Sequence, residues 1–374
     1  MNIDADTHFT PREVVENLPH EMKDLPRLMT DHTGKERLWL SQINNYHQFR
    51  EEIYSVKMRT EAMKEAGFDK EVLLVANGTI PETFLSTQSA LFMMRKWNDA
   101  VAKIEQRNDC FIGAAQIPHS DPDAAIEEAE RAVRDLGFRA IQIQGNWMGK
   151  NIENFDWWPF FERVERLGVP LWYHATGAVA YRKFNPFLPG YEQITKLPPP
   201  TAVFHGFLWE AQLILTGLIL NGVIDKYPGI KVALTEVDAS WVPHFMSLLD
   251  TLVDLNQMYN TAGILENWNF GTPIRDIVLR KKPSQRIREN FSFAITNPTN
   301  IELDVMLPVL VNKMGMAKNL MIESDYDHPE GTLDIVRRVR TLKEIDEESK
   351  DLICGRNAAN LLKIEWAPSA YAWV

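Results

Sequence analysis

Eight short apolar runs recur along this chain, and between most of them lie segments whose apolar residues repeat at helical spacing. The runs are Ile3–Thr7, Val72–Ala76, Cys110–Gln116, Ala140–Gln144, Pro170–His174, Lys231–Glu236, Asn290–Ile295 and Asn319–Ser324. The helical segments are Glu82–Glu105, Asp121–Leu136, Trp157–Leu167, Leu208–Asn221, Ser240–Tyr259, Ile301–Met314 and Thr332–Leu342. A strand followed by a helix-sized crossover returns parallel to itself, so the pattern predicts an α/β fold with parallel strands. Eight such strands suit a closed (β/α)8 TIM barrel better than an open sheet. A plain barrel needs roughly 250 residues, and insertions account for the rest of a longer chain. The expectation is therefore one barrel domain over residues 1–374, with insertions near 10–70, 176–204 and 256–289. Pro186, Pro189, Pro198, Pro199 and Pro200 disfavour regular structure in the second of these. Such insertions usually sit on the catalytic face as lids or oligomer contacts.

Composition excludes several classes. The net charge is −11 and no run of Lys or Arg is long enough for a nucleic-acid surface. Lys281-Lys282 and Arg337-Arg338 read as solvated helix ends. No apolar run approaches membrane-spanning length, and the opening Met1-Asn2-Ile3-Asp4 has neither a basic start nor an apolar core. The two cysteines, Cys110 and Cys354, lie far apart, which suits a reducing compartment rather than a disulfide scaffold. A soluble cytoplasmic protein with a small-molecule substrate is expected, with no nucleic-acid or membrane partner. Segment 10–70 and the terminal 366–374, with Tyr371 and Trp373, carry more apolar surface than free tails tolerate. They are expected to pack on the barrel or on a second subunit, giving a homodimer or larger.

The strand ends carry the chemistry. Side chains two apart on a strand share a face, so Asp4, Asp6 and His8 are expected to align, with Asp6 and His8 in the barrel mouth. The fifth strand ends at His174, the sixth at Glu236 and Asp238, and the eighth runs into Glu323, Asp325 and Asp327. Burying that many carboxylates is costly unless they are paired or hold a cation. A carboxylate beside an imidazole makes a compact, charge-balanced metal site. The ordinary alternatives are turn caps for Asp and hydrogen-bonded structural histidines, and His119 fits a turn equally well. His205 is a further candidate facing the site, with Glu302 as its companion, and His328 is expected to brace the Asp325 loop. Trp147, Trp172, Trp209, Trp241 and Trp268 are candidates for an aromatic pocket, though core packing is the commoner role of tryptophan.

Taken together, certain motifs point to a family. They are Asp6-Thr7-His8, Tyr173-His174-Ala175-Thr176, and the run Gly222-Val223-Ile224-Asp225-Lys226-Tyr227-Pro228-Gly229. Glu236 followed by Trp241-Val242-Pro243, Glu323-Ser324-Asp325-Tyr326-Asp327-His328-Pro329, and Gly355-Arg356-Asn357-Ala358-Ala359-Asn360-Leu361 complete the set. The sequence resembles the amidohydrolase-related branch of metal-dependent barrel enzymes that includes aminocarboxymuconate-semialdehyde decarboxylase and the resorcylate-type decarboxylases. The resemblance implies a divalent metal on Asp6, His8, His174 and Asp325, with Asp325 also moving a proton. It implies Lewis-acid chemistry on a carboxylated, cyclic or aromatic small molecule, by decarboxylation or hydrolysis. Relatives commonly have His-x-His where Asp6 begins the first motif, a His near Glu236, a Gly at Glu323 and a Pro at Asp327. The fourth strand, Ala140–Gln144, has no Lys to bridge two metals.

Oxygen donors with a few imidazoles suit zinc, manganese or iron. The surplus carboxylates leave open a second cation, with Asp4, Glu236 and Glu323 as candidate donors. Two irons would turn the reading to a dinuclear iron oxygenase. A barrel kept for binding alone is the remaining alternative. Catalytic roles are thus expected at Asp325, His205 and Glu236.

Overall fold

The computed structural model describes the chain apart from residues 42–44, 76–81, 83–84, 148–149, 176–198, 262–278, 297–298, 300, 329–330 and 370–374. Side chains 45–47, 146–147, 150, 199–205 and 259–261 also lie outside the described set. All eight expected strands form: β1 (Ile3–His8), β2 (Lys70–Leu74), β3 (Phe111–Ala115), β4 (Ala140–Ile143), β5 (Leu171–Tyr173), β6 (Val232–Leu234), β7 (Phe291–Ile295) and β8 (Leu320–Ile322). They pair in chain order, each parallel to the next. The chain beyond β8 returns to β1, where His8 N–H donates to Tyr326 O at 2.6 Å and Asp325 N–H to Asp6 O at 3.2 Å. These bonds close the ring, and the architecture is a (β/α)8 TIM barrel.

Helices arise where the sequence supplies both an apolar stripe and a start signal. Ser86 caps Thr87–Glu105 by accepting from Ser89 N–H. Asp121 caps Pro122–Arg134 by accepting from Asp123 and Ala124 N–H, with proline at the first turn. The proline-rich stretch expected to be irregular to residue 204 instead starts a helix at Pro199, which runs to Leu220. Proline is compatible there because a first-turn N–H has no helical partner to lose. Among the described residues no helix is long and apolar enough to cross a membrane.

Two buried layers result. Strand residues facing the helices, such as Ile141, Ile143, Leu171 and Phe293, join the larger cluster. Residues of the opposite parity, among them Val72, Leu74, Ile112, Ala140, Trp172 and Met321, fill the barrel interior. The closing helix Asn357–Leu362 packs beneath with Ala358, Ala359 and Leu362.

Segment 10–70 is more ordered than its composition suggests. It holds an antiparallel sheet of Arg27–Thr30, Glu36–Leu40 and Asn45–Gln48, and Val14, Val15, Leu25, Leu38, Phe49 and Ile53 join the main core. Trp366 packs on the barrel too, its indole N–H donating to Met1 O at 2.8 Å. Tyr371 and Trp373 lie outside the described residues.

Arg59, from the helix Val56–Ala66, is fully buried against β1. It pairs with buried Glu71 at 3.3 Å and donates to His8 O, so it pins the strand that carries the site. Removing one member of a buried pair strands the other. Burial has already pushed Glu71 up to about 7 against the pull of Arg59, so it can take a proton instead. Arg59→Ala is expected to cost about 3 kcal/mol in urea denaturation, the low end for such pairs. A loss below about 1 kcal/mol, the range of surface pairs, would show that the pair anchors nothing.

Candidate metal centre

The strand ends deliver side chains to one buried point at the C-terminal mouth. On β1 a bulge between Asp4 and Thr7 breaks the two-residue parity. His8 thereby lies opposite Leu74, an interior residue, whereas Asp4 lies opposite Glu71 on the other face. Asp4 accepts Ser324 N–H at 2.8 Å and is not among the converging donors. This corrects the expectation that Asp4, Asp6 and His8 align. On β5 the interior parity of Trp172 continues to His174.

Glu236 reaches the site by a different route. Interior parity on β6 falls on Ala233 and then Thr235, so an extended Glu236 would face away. Its backbone is instead left-handed, with φ 58°, and Asp238 at φ 52° and Asp325 at φ 55° share that conformation. Non-glycine residues held there are uncommon and cluster at functional sites. Here hydrogen bonds hold them. Glu323 accepts Glu236 N–H at 2.7 Å and the Thr296 hydroxyl, and Asp238 accepts Thr296 N–H at 3.1 Å. Glu302 accepts Ala239 and Ser240 N–H at 3.4 and 3.2 Å. Glu302 therefore braces the Glu236 loop. Gly331 closes the Asp325 loop, where a Cβ would run into the carbonyl oxygens of Ser324 and Asp325.

The result is a knot of imidazoles and carboxylates. His8 Nε2 lies 3.0 Å from Asp325 Oδ1 and 3.3 Å from Glu236 Oε1. His174 Nε2 lies 3.2 Å from Glu236 Oε2 and 3.8 Å from Asp6 Oδ2. His328 Nδ1, expected only to brace the loop, lies 2.9 Å from Asp325 Oδ1 and 3.6 Å from Glu236 Oε1. All but His328 are almost fully buried.

Electrostatics follow from that crowding. Burial pushes Asp6 and Asp325 up, Asp325 to about 6, and Glu323 well above the carboxylate range, where Asp6 adds repulsion. Burial acts on Glu236 too, but His174, His328 and His8 outweigh it and hold it well below that range. Burial opposes charge on His174 and His328, yet Glu236 with Asp6, and Asp325 with Glu236, raise them to about 10 and about 11. Ring protons thus balance the carboxylates at the very atoms that could bind a cation, and a metal would replace them.

The donors fit a metal on geometry. Both Asp6 oxygens are buried without a hydrogen bond of good geometry, Glu236 Oε2 faces only the His174 ring, and the nearby Thr235 hydroxyl donates to Tyr173 O. Two donors held at roughly 2.0–2.2 Å from one ion lie about 3–3.5 Å apart, close to the spacings here.

Other expected residues fall elsewhere. His205 lies in the helix Pro199–Leu220, with its side chain outside the described residues. His119 is buried: its Nδ1 lies 2.7 Å from Glu82 and its Nε2 lies 3.0 Å from Gln144 N–H, so it ties the strand ends together. Asp327 leaves the site to pair with Arg50 at 2.8 Å. Trp172 is core, Trp241 packs edge-on against Phe245 and Phe293, and Trp209 is half-exposed. Trp268 and the Trp147 side chain lie outside the described residues.

Comparison with known proteins agrees with this architecture. The chain is 24% identical over 318 residues to a 2-amino-3-carboxymuconate-6-semialdehyde decarboxylase of Dictyostelium discoideum, covering 84% of this chain and 77% of that protein. It is 28% identical over 187 residues to a gamma-resorcylate decarboxylase of Rhodococcus jostii, covering 47% of this chain and 54% of that protein, so it spans about half of that relative's length. In structure it resembles a 5-carboxyvanillate decarboxylase of Novosphingobium aromaticivorans, solved with manganese and 4-hydroxy-3-methoxy-5-nitrobenzoic acid. The TM-score is 0.72 at 19% identity, over 97% of this chain and 96% of that one. The amidohydrolase family model matches residues 3–271, most of the chain, and the chain therefore belongs to the amidohydrolase family of metal-dependent barrel enzymes.

Proposed function

We propose that this enzyme is a metal-dependent decarboxylase of a cyclic or aromatic carboxylate, with its metal on Asp6, His8, His174 and Asp325. The observation that carries the reading is a pair of overlapping groups of potential ligands that share His8 at the buried mouth, one of Asp6, His8 and His174 and one of His8, Glu236, Asp325 and His328. The decarboxylases that it resembles support the choice of reaction. A divalent cation at this point supplies Lewis-acid chemistry, fixing substrate oxygens and lowering the pKa of bound water. The chain supplies the proton. Loss of carbon dioxide leaves an electron pair on carbon that needs one proton, and in this reading Asp325, which burial raises to about 6, gives it. His328 touches Asp325 at 2.9 Å and its side chain is 35% exposed, so it links Asp325 to solvent for resupply.

The test is incubation with manganese and a panel of hydroxylated aromatic carboxylates, such as 2,6-dihydroxybenzoate and 5-carboxyvanillate. Carbon dioxide release that stops on chelation is the expected result. Release of an amine or acid from an amide substrate instead would make the enzyme a hydrolase. Stoichiometric oxygen uptake with iron would make it an oxygenase, and metal binding without turnover a binding barrel.

Two finer readings accompany this one. Free Cys110 and Cys354 fit the reducing cytoplasm. A homodimer or larger assembly is supported by exposed Leu248, Leu252 and Met258 on one outer helix and Ile301 and Val305 on another. Light scattering at high concentration should give at least twice the chain mass, and a strict monomer overturns it.

A further inference from the structure

We propose that the floor of the barrel, at the opposite end from the candidate metal centre, carries a second binding site, one for a small phosphate-bearing molecule. The site is independent of the reading given to the mouth.

A cavity of about 550 Å³ opens at the floor, within the usual size range of small-molecule sites. Pro170, Lys231, Asn290 and Asn319 line it, each immediately before the start of β5, β6, β7 or β8, and the closing helix Asn357–Leu362 forms another wall. Chemistry in such barrels belongs to the C-terminal mouth, so a ligand at the floor is distinct from the substrate.

The cavity is basic in a chain of net charge −11. Lys231, Arg288, Lys318 and Lys363 line it, and Glu289 is its one acidic side chain. That carboxylate is already engaged by Lys281 at 2.6 and 2.8 Å, with Arg286 at 3.6 Å, and neither of these cations belongs to the lining. Among the described residues none of the four lining cations makes an ion pair.

Two of the four are placed by the fold. Lys231 is half-buried, and its ammonium donates to Glu289 O at 2.6 Å. Burial, against the pull of Glu289, pushes its pKa down, so an anion beside it would offset the cost of that charge. Lys363 adopts a left-handed backbone at φ 53°, and its ammonium lies over Gly168, 3.0 Å from where a Cβ would stand.

The wall also supplies acceptors. Buried Asn319 donates through its amide nitrogen to Arg288 O and Phe291 O at 2.9 and 2.8 Å, and buried Asn357 to Ala317 O and Leu320 O at 2.7 and 2.8 Å. Both N–H bonds of each amide are thereby committed to backbone, which leaves its oxygen to accept. Four cations suit a dianion with several acceptor oxygens better than a single carboxylate. The amide oxygens suit hydroxyl groups beside it. A phosphate ester of a polyol combines the two.

Calorimetric titration of the full-length, manganese-loaded enzyme at low salt tests this, with glucose 6-phosphate, inorganic phosphate and glucose as probes. One glucose 6-phosphate per chain is the expected result, with inorganic phosphate weaker and glucose not bound. Lys231→Met should weaken glucose 6-phosphate about tenfold or more, the loss of one hydrogen bond to a charged group, and leave manganese content unchanged. Lys318 is exposed, so Lys318→Glu stays informative if the Lys231 variant fails to fold, and it should weaken binding likewise. Affinity that persists in either folded variant places the phosphate elsewhere, such as on the manganese, and overturns the proposal. Absence of glucose 6-phosphate binding at millimolar concentration overturns it too.

Discussion

Asp325→Asn is expected to lower kcat for decarboxylation by about a thousandfold, within the usual range for a lost acid–base group. The replacement has the same shape. Asn also tolerates the left-handed backbone that Asp325 adopts at φ 55°. The loop should therefore keep its bond from residue 325 N–H to Asp6 O, 3.2 Å in the native chain. What disappears is the charge beside His8 Nε2 at 3.0 Å and His328 Nδ1 at 2.9 Å, together with the proton that Asp325 would hand to carbon. Metal content should fall with activity, while the unfolding midpoint stays within experimental scatter. Asp327→Asn is the matched control. Asp327 lies two residues on and pairs with Arg50, outside the donor cluster, so its loss should change kcat less than threefold. Activity of the Asp325 variant within tenfold of the native enzyme would remove Asp325 from proton transfer. Equal losses in both variants would point to loop geometry instead.

The contrast between these neighbours shows what a sequence can reveal about such a site. The barrel was legible because its eight strands are buried on both faces and read as short apolar runs. Asp6, His8, His174 and Asp325 were legible because they stand at or just beyond the ends of those runs. Parity served less well. The bulge in β1 sends Asp4 away, and the left-handed turn at Glu236 brings inward a residue that an extended strand would point outward. Neither bulge nor turn has a signal such as glycine at the position concerned. The approach of His328 to Asp325 and Glu236 was underrated because it comes from a loop, where spacing carries no facing rule. The pairing of His119 with Glu82 joins residues distant in sequence. The antiparallel sheet within 10–70 was missed for another reason. Its strand Arg27–Thr30 is partly exposed along its length, so no apolar alternation marks it.

Below the site, Trp172→Ala is expected to cost about 3–5 kcal/mol, the range for removing a large buried aromatic side chain. Trp172 is fully buried, and Ala5, Ala114, Ala140, Ala233 and Ala294 share the barrel interior with it beside the larger Val72, Leu74, Ile112 and Met321. The five alanines cannot extend to fill the space that the indole would leave. The indole N–H also donates to Ala5 O at 2.8 Å, immediately before Asp6. Truncation therefore opens a cavity and frees a buried carbonyl next to Asp6, a proposed metal donor, so manganese affinity should fall together with stability. Trp172→Phe separates the two effects. It keeps most of the volume and loses only the hydrogen bond, for an expected cost of roughly 1–2 kcal/mol. Urea denaturation of the metal-free chain measures the stability of both variants, and manganese titration measures the coupling. If alanine costs less than about 1 kcal/mol, the interior must collapse around the gap, contrary to close packing. If phenylalanine weakens manganese binding as much as alanine does, the bond to Ala5, rather than the filled volume, is what holds Asp6 in place.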